Sequence, residues 1–151
     1  MRILVINPGG TSTKISVFEG KKQVFKKNIS HTQADLNDFK TVFDQYQYRK
    51  DLILSILEKN KYPIETFNCV VGRGGLMKPI PGGTYSVNDR MIEDLKNAIN
   101  GEHASNLGAV LAKNIGDEID VPSFVVDPVS VDEFLDVSRI TGISDIEKAS
   151  W

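Results

Sequence analysis

Residues 3–18 read Ile3-Leu4-Val5-Ile6-Asn7-Pro8-Gly9-Gly10-Thr11-Ser12-Thr13-Lys14-Ile15-Ser16-Val17-Phe18. The first four form a continuous apolar run, the mark of a strand buried on both faces. The run stops at Asn7-Pro8, and a loop dense in glycine and hydroxyl side chains follows before apolar residues resume at Ile15. A turn at Glu19-Gly20-Lys21-Lys22 and a third strand through Val24 and Phe25 complete a predicted three-stranded meander. Lysines bracketing Val24 and Phe25 fit a solvated sheet edge.

Downstream the apolar period lengthens. Phe39, Val42, Phe43 and Tyr46, then Ile53, Ile56 and Leu57, predict helix over Phe39–Leu57, stopped by Asn60 and Pro63. Asn88 is placed to cap a helix over Asp89–Ile99, Gly101 breaks it, and a third helix is expected over Ala104–Ile115. Short strands are expected at 67–71, 84–87 and 124–126, with Cys69 a small core residue in the first of them. Strand, polar loop, meander and alternating helices together predict an α/β fold with a mixed central sheet and helices packed on it. Near the end, Ser144-Asp145-Ile146-Glu147 has the form of a capping box, so a helix is expected to start there and to run on past Trp151.

Composition narrows the function classes. The 151 residues suit one domain, or one half of a two-domain protein. A chain that is 40% hydrophobic and 25% charged is neither disordered, collagenous nor coiled-coil. A net charge of −2 gives no field to recruit nucleic acid or an anionic membrane, so neither is an expected partner. One cysteine excludes an intrachain disulfide and a cysteine-based metal site. No apolar run reaches the ~18 residues of a membrane span. Asn7-Pro8-Gly9-Gly10 also cuts the leading apolar stretch too early for a signal peptide. A soluble cytoplasmic protein is expected.

Four places carry chemistry. The loop from Asn7 to Lys14 combines glycines, which let backbone amides approach a phosphate, with hydroxyls and a lysine. It lacks the spacing of a Walker A loop and is followed by a strand, an arrangement that suits the phosphate-clasping hairpin of actin-like ATPases. An ordinary flexible turn is the alternative. Arg73 stands among glycines in Gly72-Arg73-Gly74-Gly75, suited to a guanidinium aimed at a carboxylate or equally to a structural ion pair. His103 opens a helix, where free amides favour anions, although a lone histidine is often only a surface or core residue. Asp127 ends a buried strand, where α/β sheets place ligand-binding groups, and precedes proline, where aspartate also simply makes turns.

Taken together and in this order, the motifs resemble the acetate and butyrate kinase family of the actin, sugar-kinase and heat-shock-chaperone superfamily. The resemblance rests on residues 2–9 with Thr11-Ser12-Thr13-Lys14, on Val70–Leu76 and on Lys78–Tyr85. Glu102–Gly108 and Val126–Val129 extend it. It implies an actin-like, ribonuclease H-like fold and phosphoryl transfer between ATP and a short-chain fatty acid such as butanoate, with Mg²⁺. It further implies that Asn7, Gly9, Gly10, Thr11, Ser12 and Lys14 hold nucleotide phosphate, and that Arg73, His103 and Asp127 are catalytic. Asn7 and Asp127 would lie at the metal. Two departures accompany it. Gly10 stands where the family usually has serine, and family members run to about twice this length, so residues 1–151 are expected to be the amino-terminal domain of a longer, homo-oligomeric enzyme. A half-cleft of this kind should fold but not turn over, and should expose an apolar patch near Ile143, Ile146 and Trp151. The competing reading is a non-catalytic actin-like module that binds an anion or a partner protein.

Overall fold

Alternation along the first strand sets the layers of the molecule, whose computed structural model describes residues 1–148. Strand β1 (Arg2–Pro8) buries Leu4 and Ile6 completely and leaves Ile3, Val5 and Asn7 half-buried on the other side. The opening run is therefore covered fully on one face only, a correction to the expected two-sided burial.

β1 pairs antiparallel with β2 (Ser12–Glu19), which pairs antiparallel with β3 (Lys22–Ser30), as the meander predicts. On its other edge β1 runs parallel to β4 (Cys69–Gly72), and β4 parallel to β6 (Ser123–Val126). The short β5 (Thr84–Ser86) closes the sheet antiparallel to β6, in the order β3-β2-β1-β4-β6-β5. The sheet is mixed, as expected.

Four helices are described: α1 (Gln33–Leu36), α2 (Tyr46–Lys59), α3 (Asp89–Lys96) and α4 (Asn106–Glu118). The two longer helices, α2 and α4, pack on the face that carries Leu4, Ile6, Ile15, Val17 and Val70. Ile53 and Leu57 of α2 meet it there, as do Leu107, Leu111 and Ile115 of α4. Each such side chain, taken from water to a buried site, contributes about 1.5–3 kcal/mol. A smaller cluster of Met77, Val87, Leu95, Ala109 and Val125 seats α3 beside α4. The opposite face has no helix among the described residues, and Val126 is 39% exposed there.

Several boundaries differ from the sequence reading, each for a local reason. Residues 39–42 are not helical, because Thr41 and Asp44 cap one another reciprocally and restart the chain in a 3-10 turn at Phe43–Gln45. Thr32 and Asp35 form the same device ahead of α1, which the apolar period does not reveal. Asn88 does cap α3, accepting from the Met91 amide at 2.8 Å, but the helix stops at Lys96. Ala98 then takes a positive φ of 50°, leaving Ile99 60% exposed. At the end, Ser144–Glu147 forms a turn and an isolated bridge to Ile140 rather than a helix. The Thr141 hydroxyl occupies the Ile146 carbonyl there, and the Lys148 amide takes that of Arg139. Ile143 and Ile146 are 60% and 54% exposed, with Leu135, Val137 and Ile140 exposed nearby. The expectation for Trp151 lies outside the described residues.

Candidate functional site

Three parallel strands end on the same side of the sheet, and open α/β sheets bind ligands outside such carboxyl ends. Asn7 is on β1, Arg73 follows β4 directly and Asp127 follows β6 directly. These three residues, distant in sequence, line one cavity of about 350 Å³ with Val5, Val71 and Val126 as its apolar wall.

Each is held by a different device. Arg73 is anchored through its backbone, the amide donating to the Ile6 carbonyl at 2.9 Å. Its guanidinium is exposed and joins none of the ion pairs among the described residues, so the structural ion pair is not what places it. The flanking glycines serve close approach. A Cβ on Gly72 would collide with the Gly108 carbonyl, and one on Gly75 with Asn106. Thus the strand end and the amino end of α4 meet backbone to backbone.

Asp127 carries a positive φ of 43° although a proline follows it, a position that ordinarily favours extended backbone. Aspartate tolerates the left-handed region better than most residues, yet the conformation is strained, and such strain gathers at functional sites. A two-way clasp holds it: the Gly83 amide donates to Oδ1 at 2.8 Å, and the Asp127 amide donates to the Gly83 carbonyl at 3.0 Å. Oδ2 has no protein partner among the described residues.

The glycine-rich turn joins the cavity through Asn7, which pairs with Lys14 across the β1–β2 ladder. Gly9 donates to the Ser12 carbonyl at 2.7 Å, closing the turn. Side chains then alternate: Thr13 is fully buried, while half-buried Ser12 and exposed Lys14 point to the face of Asn7. Gly10 and Thr11 are exposed at the tip, and no atom lies within 4 Å of where a Gly10 Cβ would stand. A serine would fit there without a clash.

His103 does not line this cavity; it is exposed on the loop before α4. Its Nδ1 accepts from the Ser105 amide at 3.2 Å and lies 2.7 Å from the Ser105 hydroxyl, which leaves Nε2 as the proton-bearing, outward nitrogen of the neutral ring. The tie between this loop and Arg73 is Asn106. Its Oδ1 accepts from the Leu76 amide at 2.9 Å, and its Nδ2 donates to the Gly101 carbonyl at 3.0 Å.

Another group escaped the sequence reading. Arg49 of α2 is fully buried beneath the glycine-rich turn, in contact with Thr13 and the Gly10 carbonyl. Its signal was present: Arg49, Ile53 and Leu57 recur every four residues, so the arginine sits on the apolar stripe.

For a metal, no group of three or more histidine, cysteine or carboxylate side chains gathers among the described residues. Mg²⁺ needs no such cage, since it takes one or two carboxylates with phosphate and water oxygens. The Asn7 amide oxygen and the Asp127 carboxylate, on one cavity wall, fit that demand. A cavity of about 360 Å³ between Asp136 and Glu147 is as large, but it holds none of the nine residues of the sequence-derived site.

No family model matches the chain. A curated protein named "Probable butyrate kinase" from Clostridium botulinum (strain Eklund 17B) is 51% identical over 149 residues, which is 99% of this chain and 42% of that protein. "Butyrate kinase 1" from Clostridium acetobutylicum is 50% identical over the same shares. The chain therefore spans about two fifths of the length of the curated relatives it matches. Among solved structures, acetate kinase from Porphyromonas gingivalis superposes with a TM-score of 0.60 at 12% identity, covering 95% of this chain and 41% of that one. Acetate kinase from Entamoeba histolytica gives 0.59 at 14% identity, with 95% and 40% coverage. The fold is the α/β fold of actin-like ATPases.

Proposed function

Starting from a chain related to the butyrate kinases along 149 of its residues, we infer that it builds one wall of the catalytic cleft of a carboxylate kinase. The observation that carries this is the meeting of Asn7, Arg73 and Asp127 in one cavity at the carboxyl ends of three parallel strands. The reaction is transfer of a phosphoryl group between ATP and a short-chain fatty acid, butanoate, giving butanoyl phosphate and ADP.

Two anions must be brought into line for that transfer, so the protein's contribution is positioning and charge. Arg73, exposed and paired with no carboxylate among the described residues, binds the substrate carboxylate and the transferring phosphoryl oxygens. The turn from Gly9 to Ser12, with Lys14, holds the nucleotide phosphates through amides, hydroxyl and ammonium. Asn7 and Asp127 hold Mg²⁺, which neutralises charge on the phosphate oxygens when bound. His103 donates through Nε2 to a phosphoryl oxygen once the cleft is complete. The second wall and the adenosine pocket belong to sequence beyond the matched two fifths, and the full protein is a cytoplasmic homo-oligomer. No described helix is long and apolar enough to cross a membrane.

The test is ADP release coupled to butanoate and Mg-ATP in the full-length protein. Arg73→Ala should lose a charged hydrogen bond, about 1.5–3 kcal/mol of transition-state stabilisation, or roughly 10- to 150-fold in kcat/KM. Residues 1–151 alone should show no butanoate-dependent turnover. An Arg73→Ala enzyme with unchanged kcat/KM would exclude the arginine. A full-length protein without butanoate-dependent ADP release would leave the anion-binding or partner-binding module as the reading.

A further inference from the structure

Arg49 is 0% exposed, and all of its acceptors are neutral. Nε and Nη2 donate to Gln45 Oε1 at 3.1 and 2.8 Å, Nη1 to Thr13 Oγ1 at 2.9 Å, and Nη2 to the Gly10 carbonyl at 3.4 Å. No ion pair among the described residues includes it. Its hydrogen bonds are met, but its charge is not balanced. The guanidinium also sits in the first turns of α2, the positive end of the helix dipole, and that first turn carries no acid. Burial, helix end and missing counter-ion all disfavour a cation here, and removal of such a charge from water costs several kcal/mol unless something offsets it.

What lies in front of Arg49 identifies the missing partner. Its two contacts on the turn, Gly10 and Thr13, bracket Thr11 and Ser12. Thr13 completes the arrangement from behind, its Oγ1 2.8 Å from His31 Nε2. The Thr13 hydroxyl, which accepts from Arg49, still has its own proton to offer His31 Nε2, and a neutral ring in that tautomer adds no second charge. The turn is thus a thin layer of backbone, with an unbalanced cation behind it and Asn7, Ser12 and Lys14 on the side toward the cavity.

We infer that Arg49 is the buried half of a phosphate site: a positioning residue whose charge is balanced by the phosphate group held on the cavity side of the Gly9–Lys14 turn. The inference rests on the reading that this turn binds nucleotide phosphate, and it assigns part of that binding to a residue that never touches the ligand. The guanidinium fixes the turn through Gly10 and Thr13 and lends it a positive potential through a low-dielectric layer, where water screens little.

The test uses the full-length protein, with Mg-ATP and adenosine as separate probes and thermal midpoints measured without ligand. Arg49→Met should bind Mg-ATP about tenfold more weakly, the scale of one charge interaction in partly screened surroundings. It should bind adenosine as the wild type does and keep or raise its ligand-free midpoint. Arg49→Lys, which keeps the charge, should recover most of the affinity. Arg49→Gln, which can still donate to Thr13, serves if the methionine variant does not fold, and should show the same loss. Wild-type affinity for Mg-ATP in the methionine or glutamine variant overturns the role of Arg49 alone. Equal losses for Mg-ATP and adenosine, with a lowered midpoint and no rescue by lysine, also overturn it, since they describe a structural residue. A wild-type protein that does not bind Mg-ATP overturns both this inference and the reading beneath it.

Discussion

The two faces of the central sheet come from the same strands and have opposite fates. Leu4, Ile6, Ile15 and Val17 point to one side and are fully buried under α2 and α4. Val5, Asn7, Ser12 and Lys14, alternating with them, point to the other and remain half-buried or exposed. Because strand side chains alternate, no residue serves both faces. The apolar core lies on the covered face, and the cavity lined by Asn7, Arg73 and Asp127 lies on the open one. Substitutions of apolar side chains on the covered face should therefore unfold the chain, whereas those on the open face should disarm it, with Arg49 beneath the turn the exception.

The largest effect belongs to the covered face. Leu111 is fully buried in the cluster that joins α4 to the sheet. Leu111→Ala should cost about 2–5 kcal/mol in chemical denaturation, from lost transfer energy and the cavity left behind. A cost under 1 kcal/mol would mean that α4 is not seated as described. On the open face, Asp127→Asn should change stability by less than about 1 kcal/mol. The asparagine can still accept from the Gly83 amide and still tolerate the positive φ. Removal of the charge should nonetheless weaken Mg-ATP binding or turnover in the full-length protein. If Asp127→Asn instead unfolds the chain, the strained aspartate is structural and the contrast between the faces breaks.

How much of this was legible follows from the same division. The strands can be read because apolar runs and turn residues mark them locally, and β1, β2 and β3 pair as the expected meander, with a register shift at Val17/Phe18 that no local pattern announces. Asn7, Arg73 and Asp127 could be named because each breaks an apolar strand with a polar group beside glycine or proline. Their meeting in one cavity depends on the strand order β1-β4-β6, which no local pattern states. Helix starts were misplaced where a hydroxyl–carboxylate pair overrode the apolar period, as at Thr41 and Asp44. The roles of Asn106 and Arg49 are hidden for another reason, although the place of Arg49 on the apolar stripe is visible. Their work is done by burial, and a polar residue on an apolar stripe shows its partners only when the fold is known.

The smallest predicted effect lies where the two faces meet, behind the glycine-rich turn. His31 is 5% exposed, with Nε2 against Thr13 and Nδ1 3.3 Å from the Tyr48 hydroxyl. Burial, and then the charge of Arg49, hold its pKa below the ordinary value, while Asp35 opposes them weakly. In the unfolded chain the ring takes a proton near pH 6.5. As pH falls below that, the unfolded state binds a proton that the folded state resists. The stabilisation is therefore complete above about pH 6.5 and is lost as pH falls toward the lower folded value. Asp35 and Asp132 also have depressed values, but carboxylates begin to matter only near and below about pH 4. Between pH 7.5 and 5 the histidine acts alone among these three groups. The thermal midpoint should drop over that interval in the wild type and drop less in His31→Gln, so that the two curves converge on acidification. Parallel curves would show that His31 does not titrate against Arg49, and that the layer behind the turn is less closed than its hydrogen bonds imply.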